Sequence, residues 1–453
     1  MEKIKRLKLE EKLIPLLYGK LQLLQRKQDR MEIVERALKE LFTMDESGFF
    51  KKEKEELDLL EKRKEFLESF VSYGIIDDLL RDLDVEDVII NALNPIYIHH
   101  SGKGFVKTAK RFETIEELNI FIQKLVLLSG RRDIEKVMNI ELPNLEGRVN
   151  FVRSPFGPQL TITKAKMLPL SIIEMINRGT LTFEVAAQLW LYLEGMSIRP
   201  ANMLIAGGPG VGKTTLLNAL FSFIPGNERL VVIEDTLELN TALEESCSRL
   251  ESGDDFSLAD LVKNSLRMRP ERIVIGEVRG EEARDMMTAV NIGKYCIGTI
   301  HALTSREAII RLQNEPMNIP EELIRLTDVF VVLKRYHAEG KVLRVVDEIS
   351  ETSGMEREKV LLSHIYKYDY ESNTLKAVSS STIYRDRLAS EAGVSPKRII
   401  QEVALRTILL QELAKRGHNS LTEVTAFCRA YNLNPKEAVH SLGLNYQQLL
   451  KER

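Results

Sequence analysis

The spacing of apolar residues in the first part of the chain predicts helices. Residues 1 to about 72 are rich in Lys, Glu, Leu and Gln, and Leu24, Met31 and Leu38 recur every seven residues. With Pro15 as an interruption, the stretch predicts two or three amphipathic helices. We favour a solvated helical bundle packed on the rest of the protein over a docking arm for a partner. The heptad repeat is too short to indicate a coiled coil.

From about residue 73 to 168 the pattern changes to short apolar runs typical of a mixed α/β domain. Thr114 and Glu117 form a capping-box signature, which predicts a helix through Leu128. Residues five apart face opposite sides of a straight strand, so Arg148 and Arg153 can reach one site only if their strand bends. The predicted strands are Val88–Ile90, Ile96–Ile98, Phe105–Val106, Arg148–Arg153 and Leu160–Thr163.

In the second half, short apolar runs alternate with helical stretches. This alternation predicts a parallel sheet with helices on both faces. We expect Leu230–Ile233 to lie beside Met203–Ala206, and Val329–Leu333 and Leu343–Val346 to be edge strands. Another strand is predicted at Arg272–Ile275.

Helices are predicted on either side of this alternating region. A helix from Thr182 to about Leu193 carries Trp190, which we expect to be a core residue. After about residue 378 the chain is helical again, with starts at Ser395, Ser420 and Asn434.

A glycine-rich loop follows Met203–Ala206 and precedes a predicted helix, and this is the context of a phosphate-binding P-loop. Glycines let backbone N–H groups approach a triphosphate, and the positive end of the helix adds to the attraction. Lys213 can reach the β- and γ-phosphates, the Thr214 hydroxyl can bind Mg²⁺, and Thr215 can cap the phosphates from the side. The alternative is a turn without function, which would not require the flanking strand and helix. The loop consists of Gly207, Gly208, Pro209, Gly210, Val211, Gly212, Lys213, Thr214 and Thr215.

Acidic residues follow two of the other predicted strands. The stretch Glu234–Glu238 holds three carboxylates, and a carboxylate near a triphosphate can polarise the attacking water. Glu277 can hold Mg²⁺ through a water. A solvated acidic loop is the alternative for the first stretch. Arg279 can pair with a nearby acid or lie at a subunit interface, and we also count it among the candidate nucleotide-binding residues.

His301 follows another apolar run, Gly298–Ile300. A lone histidine is usually a core residue. Because this one is predicted beside the phosphates, we favour a sensor of the γ-phosphate.

Composition narrows the function classes. The chain has 453 residues, of which 44% are hydrophobic. Its formal net charge of −3 argues against a general affinity for nucleic acid. Three cysteines without metal-binding spacing suit a reducing cytosol. No apolar run approaches the ~20 residues of a transmembrane helix, and the N-terminus lacks a signal core. We therefore expect any membrane role to go through a partner.

The four motifs, in this order and spacing, resemble the secretion-motor ATPases of type II secretion, type IV pili, archaeal filaments and type IV secretion. The resemblance covers roughly Asp77 to Leu343. The absence of a four-cysteine insert and the helical tail after residue 395 resemble the archaeal branch.

The resemblance implies an α/β fold in which a RecA-like P-loop NTPase domain follows a smaller N-terminal α/β, PAS-like domain, with helical N- and C-terminal extensions. Combined with the pattern, it gives domains at residues 1–72, 73–168, 169–378 and 379–453. It also implies a Mg²⁺-dependent ATPase that forms a homo-hexamer, is peripheral at the cytoplasmic face, and acts on a polytopic membrane partner of a filament or pseudopilus system.

The resemblance also assigns roles to single residues. Glu238, the last acid of its motif, becomes the water-polarising base, and an arginine of the N-terminal domain closes over the phosphates. Arg148 fits that arginine best and Arg153 second. The sequence departs from the family at Thr163, where arginine is usual, and at Ile292 and Lys294, where Thr and His are usual.

Three hypotheses follow. The first is an ATP-hydrolysing motor that powers filament assembly or secretion. The second, motivated by the departures at Thr163 and Lys294, is a nucleotide-dependent scaffold that barely hydrolyses ATP. The third is a DNA translocase, which the near-neutral charge and the lack of an evident basic, aromatic-rich patch disfavour.

Overall fold

The computed structural model describes residues 3–451 except 23–24, 83, 101–102, 143–146, 165–168, 254, 339–340, 358 and 380–382. The chain divides into two compact units, Met1–Met167 and Leu168–Arg453. Each unit has its own buried apolar clusters. Among the described helices, none combines the length and the apolar character needed to cross a bilayer.

The first unit begins with four helices, where the sequence predicted two or three. Pro15 does not separate helices but lies in the last turn of the first one, whose Leu13 and Leu17 are buried. The four helices share an apolar cluster with Leu127 of the sixth helix, which agrees with the bundle interpretation. The helices of this unit are α1 (Lys3–Leu17), α2 (Lys27–Met44), α3 (Lys51–Leu57), α4 (Leu60–Phe70), α5 (Asp77–Arg81) and α6 (Ile115–Leu128).

The rest of the first unit is an antiparallel sheet covered on one face by α6. Thr114 caps α6 as predicted, accepting the Glu117 N–H at 3.1 Å, but the Glu117 carboxylate accepts from Glu113 rather than from the cap residue. The strands are β1 (Val85–Asn91), β2 (Tyr97–His100), β3 (Gly104–Lys107), β4 (Val137–Leu142), β5 (Gly147–Ser154) and β6 (Gly157–Thr163), in the order β3-β2-β1-β6-β5-β4. The sequence did not predict β4.

The second unit is built on a mixed sheet with the order β15-β14-β13-β12-β7-β11-β10-β8-β9. The strands from β12 to β9 in this order are parallel, and β13, β14 and β15 add an antiparallel meander. This arrangement confirms the predicted α/β, RecA-like class. The strands are β7 (Met203–Gly207), β8 (Leu230–Glu234), β9 (Cys247–Glu251), β10 (Arg272–Val278), β11 (Tyr295–Ile300), β12 (Val329–Ala338), β13 (Lys341–Glu356), β14 (Lys359–Asp369) and β15 (Thr374–Ala377).

Helices cover both faces of this sheet. One buried cluster joins the P-loop helix, Trp190 and the helices after residue 383, and the opposite face is covered by the four helices between β9 and β12. Trp190 is fully buried and stacks on Phe223. The helices are α7 (Ile172–Asn177), α8 (Phe183–Glu194), α9 (Lys213–Leu220), α10 (Leu258–Ser265), α11 (Glu282–Asn291), α12 (Ser305–Gln313), α13 (Glu321–Ile324), α14 (Ile383–Ala392), α15 (Pro396–Lys415), α16 (Leu421–Leu433), α17 (Pro435–Ser441) and α18 (Tyr446–Lys451).

Two expectations about strand order are wrong. β8 does not lie beside β7, because β11 and β10 separate them, and neither β12 nor β13 is an edge strand. β12 instead pairs with β7 in the centre of the sheet. Its continuous apolar run, Val329–Leu333, is buried on both faces, as is typical of a central parallel strand.

Candidate active site

The P-loop connects β7 to α9 with a backbone that requires glycine at several points. Gly210 and Gly212 have φ angles of 68° and 98°, in the left-handed region. A Cβ on Gly207 would lie 2.6 Å from Val211 Cγ2 and 2.8 Å from the carbonyl oxygen of Leu333 on β12. The loop therefore places the N-terminus of α9, with its unpaired N–H groups, at the carboxyl end of the central strand β7, where an anion can bind.

Lys213 is buried at the start of α9, and its Nζ donates to the carbonyl oxygens of Gly207 at 3.0 Å and Gly208 at 3.1 Å. Burial lowers the pKa of Lys213 from its ordinary value, although Glu277 and Glu238 act in the opposite direction. The charge of the Lys213 ammonium group is thus less well stabilised than the charge of a lysine in water. Phosphate oxygens would supply the negative charge that stabilises it.

Glu238 and Thr214 meet beside this lysine. The Thr214 hydroxyl donates to Glu238 Oε2 at 3.4 Å. A hydroxyl and carboxylates are the hard oxygen ligands that Mg²⁺ prefers. The predicted ligands were Thr214 and Glu277, whereas the carboxylate in contact with the Thr214 hydroxyl is Glu238.

His301 connects the lysine to the second carboxylate. Its Nδ1 lies 3.4 Å from Lys213 Nζ, and its Nε2 lies 3.2 Å from Glu277 Oε1. Burial, together with the charge of Lys213, lowers the pKa of His301. A neutral imidazole with its proton on Nε2 satisfies both contacts, because Nδ1 then accepts from the ammonium group and Nε2 donates to the carboxylate.

Glu234 has a different part in the site from the one its sequence position indicated. It is buried at the end of β8, and its Oε1 accepts the backbone N–H groups of Glu238 and Leu239, both at 2.9 Å. Burial raises the pKa of this carboxyl group. Glu234 therefore holds the turn that presents Glu238, a positioning role that sequence reasoning missed when it grouped the three acids together.

Arg279 pairs with an acid of the same motif, as one of its two predicted interpretations required. Its Nη2 donates to Asp235, and Asp235 also accepts from Ser252. This ion pair joins the loop after β10 to the acidic stretch after β8. A direct nucleotide contact by Arg279 and its place at a subunit interface stay predictions.

The two candidate arginines of the first unit lie on β5. The pairing of β5 with β4 and β6 runs without a bulge, so Arg148 and Arg153 project to opposite faces of the sheet. Arg153 lines a cavity of about 360 Å³ with Phe151 and Gln123. Thr163, at the first departure from the family pattern, donates to Asp87 at 2.7 Å.

One contact of the P-loop comes from a predicted strand in which no motif indicated a functional residue. Arg344 on β13 donates through Nε to the carbonyl oxygen of Gly210 at 3.0 Å. The two residues are 134 positions apart, and only the order of the strands brings them together.

The chain is similar to known proteins over most of its length. The family described as Type II/IV secretion system protein matches residues 136–363. The uncharacterized protein MJ0900 of Methanocaldococcus jannaschii is 31% identical over 378 residues, which are 79% of this chain and 67% of that protein. The conjugal transfer protein TrbB of Rhizobium radiobacter is 29% identical over 283 residues, 60% of this chain and 84% of that protein.

Among solved structures, the Legionella pneumophila ATPase DotB is 18% identical and covers 83% of this chain and 92% of its own, with a TM-score of 0.43. A score this low adds no weight to the assignment of the fold, which stands on the strand order above.

The fold and the P-loop site define an ATPase. The chain belongs to the Type II/IV secretion system protein family.

Proposed function

We propose that this ATPase is a motor that powers the assembly of a pilus-like filament, or secretion, through a polytopic membrane partner. The observation that carries the proposal is one cluster of side chains: Lys213 and Thr214 of the P-loop meet groups from the ends of β8, β10 and β11. Family membership supports the secretion side of the proposal.

Each group in the cluster has a proposed role that its contacts support. Lys213 exchanges the Gly207 and Gly208 carbonyl oxygens for phosphate oxygens when ATP binds. Glu238, which Glu234 holds in place, polarises the attacking water. Bound Mg²⁺ would neutralise charge that develops on the phosphoryl oxygens, with Thr214 and Glu277 as its protein groups.

His301 is the proposed sensor of the γ-phosphate. Because it contacts both Lys213 and Glu277, a change in the partner of either residue alters its hydrogen bonds. The different contacts with and without the γ-phosphate would shift the protein between two conformations.

The larger assembly belongs to the same proposal. We expect a homo-hexamer, peripheral at the cytoplasmic face of the membrane, without direct nucleic acid binding. Arg148 would add positive charge to the phosphates in the transition state, with Arg153 as the second candidate. Since the two arginines face opposite sides of β5, only one of them can serve a given site.

The test compares wild-type protein with Glu238→Gln and Lys213→Ala in steady-state hydrolysis and in ATP-binding titrations. Glu238→Gln should bind ATP normally and hydrolyse it about 10²–10⁴ times more slowly. Lys213→Ala should weaken binding itself. Analytical ultracentrifugation with ATP should show a hexamer.

Two results would contradict the proposal. Near-normal hydrolysis by Glu238→Gln would remove that residue from its role. A wild-type protein that binds ATP without turnover, both alone and with host-cell membranes, would favour the nucleotide-dependent scaffold that the departures at Thr163 and Lys294 motivate.

A further inference from the structure

Two arginines lie directly opposite each other on neighbouring strands of the second unit. Arg335 on β12 and Arg344 on β13 are register partners, so they share one face of the sheet. Both are exposed, and neither pairs with a carboxylate within the described part of the chain. Like charges at this spacing are destabilising, which suggests that the pair is placed for a negatively charged ligand.

The face of the sheet that carries the pair is the face of the P-loop helix. Leu333, two residues before Arg335, is the register partner of Gly207 and packs in the same buried cluster as Leu216 of α9. Side chains two apart on a strand share a face, so Arg335 and Arg344 project on the α9 side.

Arg344 makes direct contact with the phosphate-binding loop. Its Nε donates to the Gly210 carbonyl oxygen at 3.0 Å, and its Cδ lies 3.9 Å from the position of a Cβ on Gly212. Its two terminal nitrogens form no hydrogen bond within the described residues. That edge of a guanidinium group matches the spacing of two phosphate oxygens.

The strand order separates this pair from the groups assigned to hydrolysis. β12 and β13 lie on one side of β7, whereas β11, β10 and β8 lie on the other and position His301, Glu277 and Glu238. An anion between the arginines and the P-loop therefore lies away from the γ-phosphate groups.

We propose that Arg335 and Arg344 bind the phosphates nearer the ribose, the part that ATP and ADP share. The pair then contributes to the affinity for both nucleotides and takes no part in bond cleavage. The inference rests on the proposed function in one respect, namely nucleotide binding at Lys213.

The test measures ADP and ATP affinities by calorimetric titration, together with kcat and KM, for Arg335→Ala and Arg344→Ala. Each substitution should weaken the binding of both ADP and ATP by about tenfold and leave kcat within about twofold of the wild-type value. Arg344→Lys should recover only part of the affinity, because lysine lacks the planar fork. The matched control is Lys334→Ala, which removes the same charge from the neighbouring position on the other face of β12.

Thermal unfolding separates ligand binding from a structural role. Without nucleotide, Arg335→Ala should have a Tm equal to or above that of the wild type, because repulsion is relieved, and its Tm increase with ADP should be smaller. A lower Tm without nucleotide and unchanged ADP affinity would assign Arg335 a structural role and overturn the proposal.

Other outcomes also decide the matter. A loss of ATP affinity with unchanged ADP affinity in both arginine variants would move the pair to the γ-phosphate and contradict the inference alone. Wild-type protein that binds neither nucleotide would contradict both the inference and the proposed function.

Discussion

Two clusters of charged side chains in the second unit show how differently the same chemical groups can be held. At the P-loop, His301 joins Lys213 and Glu277 at 3.4 and 3.2 Å, and about a third of the His301 and Glu277 side chains is exposed. Elsewhere, Arg406 of α15 is completely enclosed and donates to Glu194 at 2.6 Å. The first cluster has long, partly exposed contacts that a ligand can replace. The second cluster has short contacts that are buried away from solvent.

The pKa shifts of the two cations express the same difference. Burial by itself lowers the pKa of Lys213 and of Arg406. At Arg406 the carboxylates of Glu194 and Glu402 more than offset burial, so the net shift is upward. At Lys213 burial prevails and the net shift is downward. Lys213, the proposed phosphate ligand, has too little negative charge around it to offset burial, whereas Arg406, which joins α15 to α8, is paired with two buried carboxylates.

The largest effect is expected from Arg406→Ala. The substitution leaves Glu194 buried without a cation, while Glu402 keeps its pair with Arg398, and should lower the free energy of unfolding by about 3–5 kcal/mol. Circular dichroism during urea unfolding measures it. The control is Arg416→Ala directly after the same helix, whose partly exposed pair with Glu412 and hydrogen bond to the Leu442 carbonyl oxygen should together contribute about 1–2 kcal/mol. Equal losses for the two variants would show that enclosure does not distinguish them.

A smaller effect on stability, but a clear one on activity, is expected at Glu234. Glu234→Ala leaves the buried N–H group of Leu239 and the partly buried N–H group of Glu238 without an acceptor, and it should lower the free energy of unfolding by about 1–3 kcal/mol. It should also reduce kcat by about tenfold to a hundredfold, because Glu238 loses its position.

The control for that experiment is Glu234→Gln, which keeps an oxygen acceptor for the N–H groups of Glu238 and Leu239. We expect its kcat to stay within a few-fold of wild type in the same assay. If the Gln and Ala variants lost activity equally, the charge of Glu234, and not its hydrogen bonds, would matter.

The smallest effect is expected from Arg279→Ala. The Arg279 side chain is 61% exposed in its pair with Asp235, so its removal should lower the free energy of unfolding by at most about 1 kcal/mol. Raising the salt concentration should reduce even this difference, because exposed charges are screened. A loss of stability as large as that of Arg406→Ala would show that this exposed ion pair contributes as much as a buried one.

Local features of the sequence predicted much of this molecule. The P-loop, the strands that precede it and follow it, and the caps at Thr182, Ser395 and Ser420 depend on neighbouring residues. Such features require no knowledge of the fold, because a cap or a glycine turn is defined within a few positions.

The rest depends on partners distant in the chain. β12 takes its place by pairing with β7 across 126 residues, and β8 takes its place by pairing with β10 across 42 residues. Apolar runs of similar length are buried equally well in several strand orders. For the same reason no local pattern indicated that Arg344 contacts Gly210 or that Arg406 is enclosed beside Trp190.

The position of Trp190 has a consequence for synthesis of the protein. Its ring lies against Phe223 on one side and Tyr431 of α16 on another. The ribosome makes the phosphate-binding loop some two hundred residues before that tyrosine, so the indole stays incompletely covered until α16 has been translated. A stop codon ahead of α15 would therefore yield a truncated chain whose apolar core residues are exposed to solvent and prone to aggregation.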